Sequence, residues 1–174
     1  MNQVQKLTDA DSGSNRISIP IDEIPLDMQH AIVAIEDERF YEHNGIDVRG
    51  ILRAFVKGVT NGLNFDEGAS TLTQQLLKNN VFTNWTNEGK VERFVRKFQE
   101  QFLALELEET LTAQGKDAKS VILENYLNTI NLGAGSYGVQ AASKRYFDKD
   151  AKDLTLSECA VLAAIPQSPT KYNP

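Results

Sequence analysis

A second cysteine is missing from this chain. Cys159 is alone among 174 residues, so no disulfide can form within the chain, and cysteine usage says nothing of redox compartment. Set in the apolar run CAVLAAI, its thiol reads as a small core residue. Long hydrophobic runs are missing too: no stretch reaches the roughly 18 apolar residues that cross a bilayer. The opening MNQVQKLTDADSGSN has no apolar core of the signal-peptide kind. Histidine is scarce, with His30 and His43 only, and their spacing is not that of a zinc site. Nor is there an excess of positive charge: 18 Lys and Arg against 24 Asp and Glu leave a formal charge of −6. That excludes a general nucleic-acid binder, because phosphate backbones are held by a broad basic surface. It leaves room for a local basic cluster facing one anion. Internal repeats, low-complexity tracts and a clear domain linker are absent.

What is present suffices for a core. Hydrophobic residues make up 41% and aromatics 8%, and the length fits one domain, or one domain built as two lobes. Residues 1–15 read as a flexible N-terminal segment. RISIPI at 16–21 predicts a short strand that Pro20 confines to an edge. From Asp27 onward the pattern is helical. Met28, Ala31, Ile32 and Ile35 share one helix face, and a second helix is predicted over 47–60. Asn61-Gly62 and Gly68 mark a loop at 61–69, and a helix starts near Ser70 or Thr71. Residues 79–89 read as another loop. Over 90–109 the residues Val91, Phe94, Val95, Phe98, Phe102 and Leu105 form an apolar stripe. Further helices are predicted over 117–131 and up to Tyr146. A last one follows the Thr155-x-x-Glu158 capping box and is stopped by Pro166.

Four groups of residues can carry chemistry, each with a plainer reading beside it. Glu36 lies at the margin of the Met28/Ile32/Ile35 face, where a carboxylate is partly desolvated and so a better proton acceptor. With Asp37 and Glu38 it can equally form a solvated acidic helix end, compensated by Arg39. In ERFVRKFQE at 92–100, Arg93, Arg96, Lys97 and Glu100 share the side opposite the apolar stripe. Two guanidinium forks and a point charge suit a diphosphate; the alternative is a salt-bridged surface, with an i,i+4 pair worth about 0.2–0.5 kcal/mol. In STLTQQLLKN at 70–79, Thr71, Gln74 and Lys78 line one side of a helix whose N-terminal N–H groups suit an anion, or simply a capped amphipathic helix. Glu124 and Asn128, one turn apart, either line a cleft or hold parts of the fold together.

The wording and order of these segments say more than any one of them. EDERFYEHNGID at 36–47, GASTLTQQLLKN at 68–79, RKFQE at 96–100, KSVILENYLN at 119–128 and the tail from YFDK through LTLSECAVLAAIPQSP resemble the five ordered motifs of the peptidoglycan glycosyltransferase family. That family comprises class A penicillin-binding proteins and monofunctional transglycosylases. The resemblance covers roughly residues 16–174.

It implies a mainly α, lysozyme-like, two-lobed helical domain with a small membrane-facing jaw and at most a short N-terminal strand. It also implies polymerisation of lipid II, a disaccharide-pentapeptide on a polyprenyl diphosphate, into β-1,4 glycan chains with inversion and release of polyprenyl diphosphate. Glu36 matches the first-motif glutamate, which deprotonates the acceptor 4-hydroxyl, with Asp37 as a supporting acid. Glu100 matches the third-motif glutamate, which assists near the donor diphosphate. Lys78, Arg93, Arg96 and Lys97 are then candidates for the diphosphate. Ser70, Thr71, Gln74 and Gln75 are candidates for positioning the donor, and Glu124 and Asn128 for further substrate contacts. A divalent cation, Mg²⁺, shares the neutralisation of charge in this picture, with no metal ligand assigned. The implied partners are lipid II, the growing glycan chain and the outer leaflet of the cytoplasmic membrane, on its extracytoplasmic face. Full-length relatives add a membrane anchor before this domain, and class A members a transpeptidase domain after it.

Two features depart from the family pattern. Many relatives carry a basic residue eight positions before the third-motif glutamate, where this chain has Glu92; Arg93 or Lys90 would substitute. The loop over 79–92 is also longer than usual, and its Phe82 and Trp85 suit a membrane interface. Two rival classes stand against the resemblance. A lysozyme-like hydrolase would leave the ridge of Arg93, Arg96 and Lys97 unexplained, and a non-catalytic helical scaffold would have no need of Glu36.

Overall fold

Apolar periodicity near 3.6 residues dominates the chain, and the structure answers it with helices. It is a computed structural model that describes residues 15–60, 69–82 and 89–167. Among these residues there are seven α-helices: α1 (Leu26–Glu36), α2 (Val48–Thr60), α3 (Leu72–Val81), α4 (Lys90–Ala113), α5 (Ala118–Thr129), α6 (Val139–Phe147) and α7 (Leu156–Ala164). The mainly α expectation holds. The strand expected over 16–21 is shorter: β1 is Asn15–Arg16, paired in parallel with β2, Ser136–Tyr137. Past Arg16 the backbone leaves the ladder, Ile19 bonding through both its N–H and its O to Asn128, and a 3-10 turn follows at Ile21–Glu23. Most of the N-terminal segment at 1–15, most of the loop at 61–69, and Trp85 lie outside the described residues.

The chain divides into two compact units. One joins the residues up to Glu38 with those from Ser120 onward, and the other is Arg39–Lys119. In the first unit α1 packs on α7. Its core is ordinary: Met28 and Ile32 of α1, Ile122 and Leu127 of α5, and Leu162 of α7 are all buried. Each such side chain contributes about 1.5–3 kcal/mol on leaving water. Cys159 is buried among them; burial, then the charges of Asp27 and Glu158, push its thiol up to about 11, so it stays protonated and inert. The capping box forms, with Glu158 Oε2 accepting from the Thr155 N–H at 2.7 Å and the Thr155 hydroxyl at 2.8 Å. Lys149, also bonded to Glu158, is the main cause that holds its carboxyl down to about 2. Gly138 starts α6 at φ +84°, where a Cβ would stand 2.5 Å from the Asn128 carbonyl oxygen. No other residue fits there without displacing α5.

The second unit is built differently. α3 packs on α4, and Leu72, Leu76 and Leu77 of α3 are buried. On α4, however, the apolar stripe faces out: Phe94 is 66% and Phe102 69% exposed, whereas Arg96 is 6% and Glu100 1% exposed. Arg96, Glu100, Ala104 and Glu108 recur every fourth residue and form the buried line of the helix. On α2, Val48, Leu52, Phe55, Val56 and Val59 are exposed as well.

Candidate functional site

In the first unit, α1 ends at Glu36, and Asp37 closes the helix by donating its N–H to Val33 O at 2.9 Å. Glu36 is half-buried and Asp37 buried. From α5 comes Tyr126, 1% exposed. Burial first, then the negative charges of Glu36 and Asp37, hold its phenol well above the ordinary value of 10. The hydroxyl therefore stays protonated beside two carboxylates. Sequence reasoning did not single out Tyr126; the signal that could have found it is that a buried phenol needs a polar partner.

Glu124 and Asn128 of α5 are engaged with the N-terminal segment. Asn128 accepts from the Ile19 N–H at 3.0 Å and donates to Ile19 O at 2.8 Å, while Glu124 accepts from the Ile21 N–H at 2.8 Å. Gln29 completes the clasp through Ile21 O and Ile24 O. Side chains thus satisfy a backbone that has no sheet partner there.

In the second unit, Arg96, Lys97, Glu100 and Ser70 form one bonded cluster. Glu100 takes an ion pair from Arg96 and another from Lys97, the latter at 2.9 Å. Lys97 also donates to Ser70 Oγ at 2.8 Å. Two cations share one carboxylate, so the cluster carries an excess of positive charge. Thr71 caps α3: its hydroxyl accepts from the Gln74 N–H at 3.2 Å and donates to Gly45 O at 2.7 Å. Gln74 is 3% exposed, and its Nε2 has no hydrogen-bond partner among the described residues. Gln75 and Lys78 are half-buried on α3, and Arg93 is exposed, one turn before Arg96 and Lys97. The departure at Glu92 has a local cause: its carboxylate accepts from the Gly89 N–H at 2.9 Å and caps α4.

The loop after Glu38 is rigidified by charge. Arg39 Nε donates to Asp47 Oδ1 at 3.3 Å, and the Gly50 N–H donates to the same oxygen at 2.9 Å. Burial opposes the Asp47 charge, but the Arg39 and Gly50 hydrogen bonds and the charges of Arg39 and His43 lower its pKa overall. Phe40 is buried and meets Tyr41 and His43 edge to face, with centroids 5.1 and 6.3 Å away. Both Phe40 and His43 thus belong to the packing of this loop.

Charge kept inside a protein against the cost of desolvation has a use when an anion must be received there. What class of protein carries it is shown by comparison with known proteins. The chain belongs to the transglycosylase family, whose model matches residues 2–174. It is a peptidoglycan glycosyltransferase domain of the kind found in penicillin-binding proteins 1A. Penicillin-binding protein 1A of Clostridium acetobutylicum is 46% identical over 166 residues, 94% of this chain and 20% of that protein. Penicillin-binding protein 1F of Bacillus subtilis is 45% identical over 160 residues, 92% of this chain and 21% of that protein. Penicillin-binding protein 1A of Streptococcus oralis is 42% identical over 166 residues, 95% of this chain and 24% of that protein. The chain thus spans about a fifth of the length of the curated relatives it matches.

Proposed function

We propose that this domain polymerises lipid II into β-1,4 glycan with inversion, releasing polyprenyl diphosphate. Displacement of a diphosphate needs a base for the acceptor hydroxyl and positive charge for the leaving oxygens. Glu36 takes the first role, with Asp37 and Tyr126 around it. Arg96 and Lys97 take the second, with Lys78 and Arg93 at its margin and Glu100 holding the two cations in place. Ser70, Gln74 and Gln75 position the donor, and Thr71 holds the start of α3. Glu124 and Asn128 we assign to clasping the N-terminal segment rather than to substrate. The observation that carries the reading is the Arg96–Glu100–Lys97 cluster, with Arg96 and Glu100 buried and Lys97 half-buried, which a hydrolase or a scaffold does not need.

A divalent cation, taken as Mg²⁺, is part of the proposal only in shared form. Among the described residues no three His, Cys, Asp or Glu side chains group to hold a metal, so they do not fit a protein-only cage. Magnesium is ordinarily shared between one or two carboxylates and substrate phosphates.

The site of action is proposed as the outer leaflet of the cytoplasmic membrane. Among the described residues no helix is long and apolar enough to cross a membrane. The exposed apolar faces of α2 and α4 suit a lipid surface instead, as does the groove lined by Val81, Phe82, Phe98 and Phe102. A transpeptidase domain and an anchor elsewhere in the full-length protein belong to the same proposal.

The test is incubation with labelled lipid II and Mg²⁺ in detergent. Long glycan from the wild type, reduced about 10²–10⁴-fold in a folded Glu36→Gln variant, is expected if general-base catalysis operates. Muropeptide release from purified sacculi without glycan synthesis would replace the reading by a hydrolase.

A further inference from the structure

The loop after Glu38, α3 and α4 are closed into one ring of contacts by two charges that the proposed chemistry leaves unused. The Lys119 ammonium donates to His43 O at 2.6 Å and to Glu108 Oε1 at 3.0 Å. It lies 2.7 Å from Glu108 Oε2, and 4.5 Å from the centroid of the Phe40 ring. Glu108, 4% exposed, also accepts from the Thr73 hydroxyl at 2.7 Å. Thr73 shares the first turn of α3 with Gln74. Thr71 at the N-cap of that helix holds Gly45 O, just beyond His43 in the loop. The ring therefore runs from Lys119 through His43 and Gly45 to Thr71, along α3 to Thr73, and back through Glu108. Gly45 seals it against α4: its φ is +83°, and a Cβ would stand 2.5 Å from Ala104 O. Ala104 lies between Glu100 and Glu108 on the buried line of that helix.

We propose that the Glu108–Lys119 pair is a positioning device that locks the His43–Gly45 turn against α3 and α4 and so sets the placement of Ser70, Gln74 and Glu100. The proposal rests on the reading of that cluster as the donor site. Neither residue touches the reacting atoms. A buried ion pair is a weak source of stability, since desolvation offsets much of its attraction. Its value here is directional: the ammonium has three donors and no acceptor, and it spends them on a loop carbonyl and on a carboxylate that also holds α3. A misplacement of about 1 Å lowers a rate by about 100-fold.

Two paired variants separate positioning from bulk stability. Glu108→Gln/Lys119→Met removes both charges and leaves none buried alone. Glu108→Lys/Lys119→Glu restores an ion pair but sets a carboxylate, which cannot donate, beneath His43 O. The expected result is native circular dichroism for the neutral pair and faster amide hydrogen exchange at Thr71 and Gln74 in both variants. Turnover of lipid II should fall about 10- to 100-fold in both. A charge-swapped pair with the wild-type rate would show that any ion pair serves, and would overturn the proposal. Unchanged exchange at Thr71 and Gln74 in the neutral pair, or its global unfolding, would overturn it too. Exchange is read without turnover, so a wild type that makes no glycan would sink the donor-site reading while leaving this one still to be decided by exchange.

Discussion

In the first unit Met28, Ile32 and Leu127 are buried; in the second, Arg96, Glu100 and Glu108 are buried while Phe94, Phe98 and Phe102 face outward. Both arrangements come from amphipathic helices, so periodicity alone does not say which face turns inward. Apolar burial is the default because it stabilises without direction. Interior charge needs partners with specific geometry and stabilises little. The proposed function gives this arrangement a use: the charges bind the donor, and the outward apolar face meets lipid. In the proposed function the first unit contributes one acidic helix end and the second contributes the charges that bind the donor.

Substitutions can break that contrast or sharpen it. The largest effect is expected at Glu100. Glu100→Gln should leave circular dichroism native and lower kcat/KM for lipid II by about 10²–10³-fold, the usual loss for one preorganised electrostatic group; retained turnover would make the interior charge merely structural. Next comes the first unit, where Leu127→Ala should lower stability by about 2–5 kcal/mol in denaturant unfolding. A loss of turnover in its remaining folded fraction would blur the contrast. Smaller again is the outward stripe. Phe94→Ser/Phe102→Ser should change stability by only about 0.5 kcal/mol per site while weakening binding to anionic liposomes, and a large loss of stability would mean that these rings are packed in solution.

The smallest effect concerns pH. Glu158 sits near 2 in the folded chain against an ordinary 4.5. Its depressed value contributes stability above pH 4.5 that is lost as pH falls toward 2. Glu158→Gln should therefore flatten the acid limb of the melting-temperature profile slightly, with no change at the second unit. An acid limb that keeps its slope would place the acid sensitivity elsewhere.

Most of the fold was legible because helix signals are local. Thr71 and the Thr155/Glu158 pair mark helix starts, and Met28 and Ile32 mark a core face. The length of the strand at RISIPI was not legible, because its partner lies at Ser136–Tyr137 and the backbone beyond Arg16 bonds to side chains of α5. In the site, Arg96, Lys97 and Glu100 were readable from their shared helix side, and the structure adds the bond to Ser70. The part played by Glu124 and Asn128 was left open, since only the fold brings Ile19 and Ile21 onto α5. Glu108 and Lys119 were missed for a like reason. The partner that ties Lys119 to the loop is the His43 carbonyl, which carries no side-chain signature, although the spacing of Arg96, Glu100, Ala104 and Glu108 already drew one line along α4.

The most direct test of the central claim is calorimetric titration of a short-chain polyprenyl diphosphate into the wild type and Lys97→Met in detergent. The account predicts wild-type binding that weakens with added salt, and an affinity about tenfold or more lower in Lys97→Met, since a hydrogen bond to a charged group is worth about 1.5–3 kcal/mol. Equal affinity in the two proteins would contradict it.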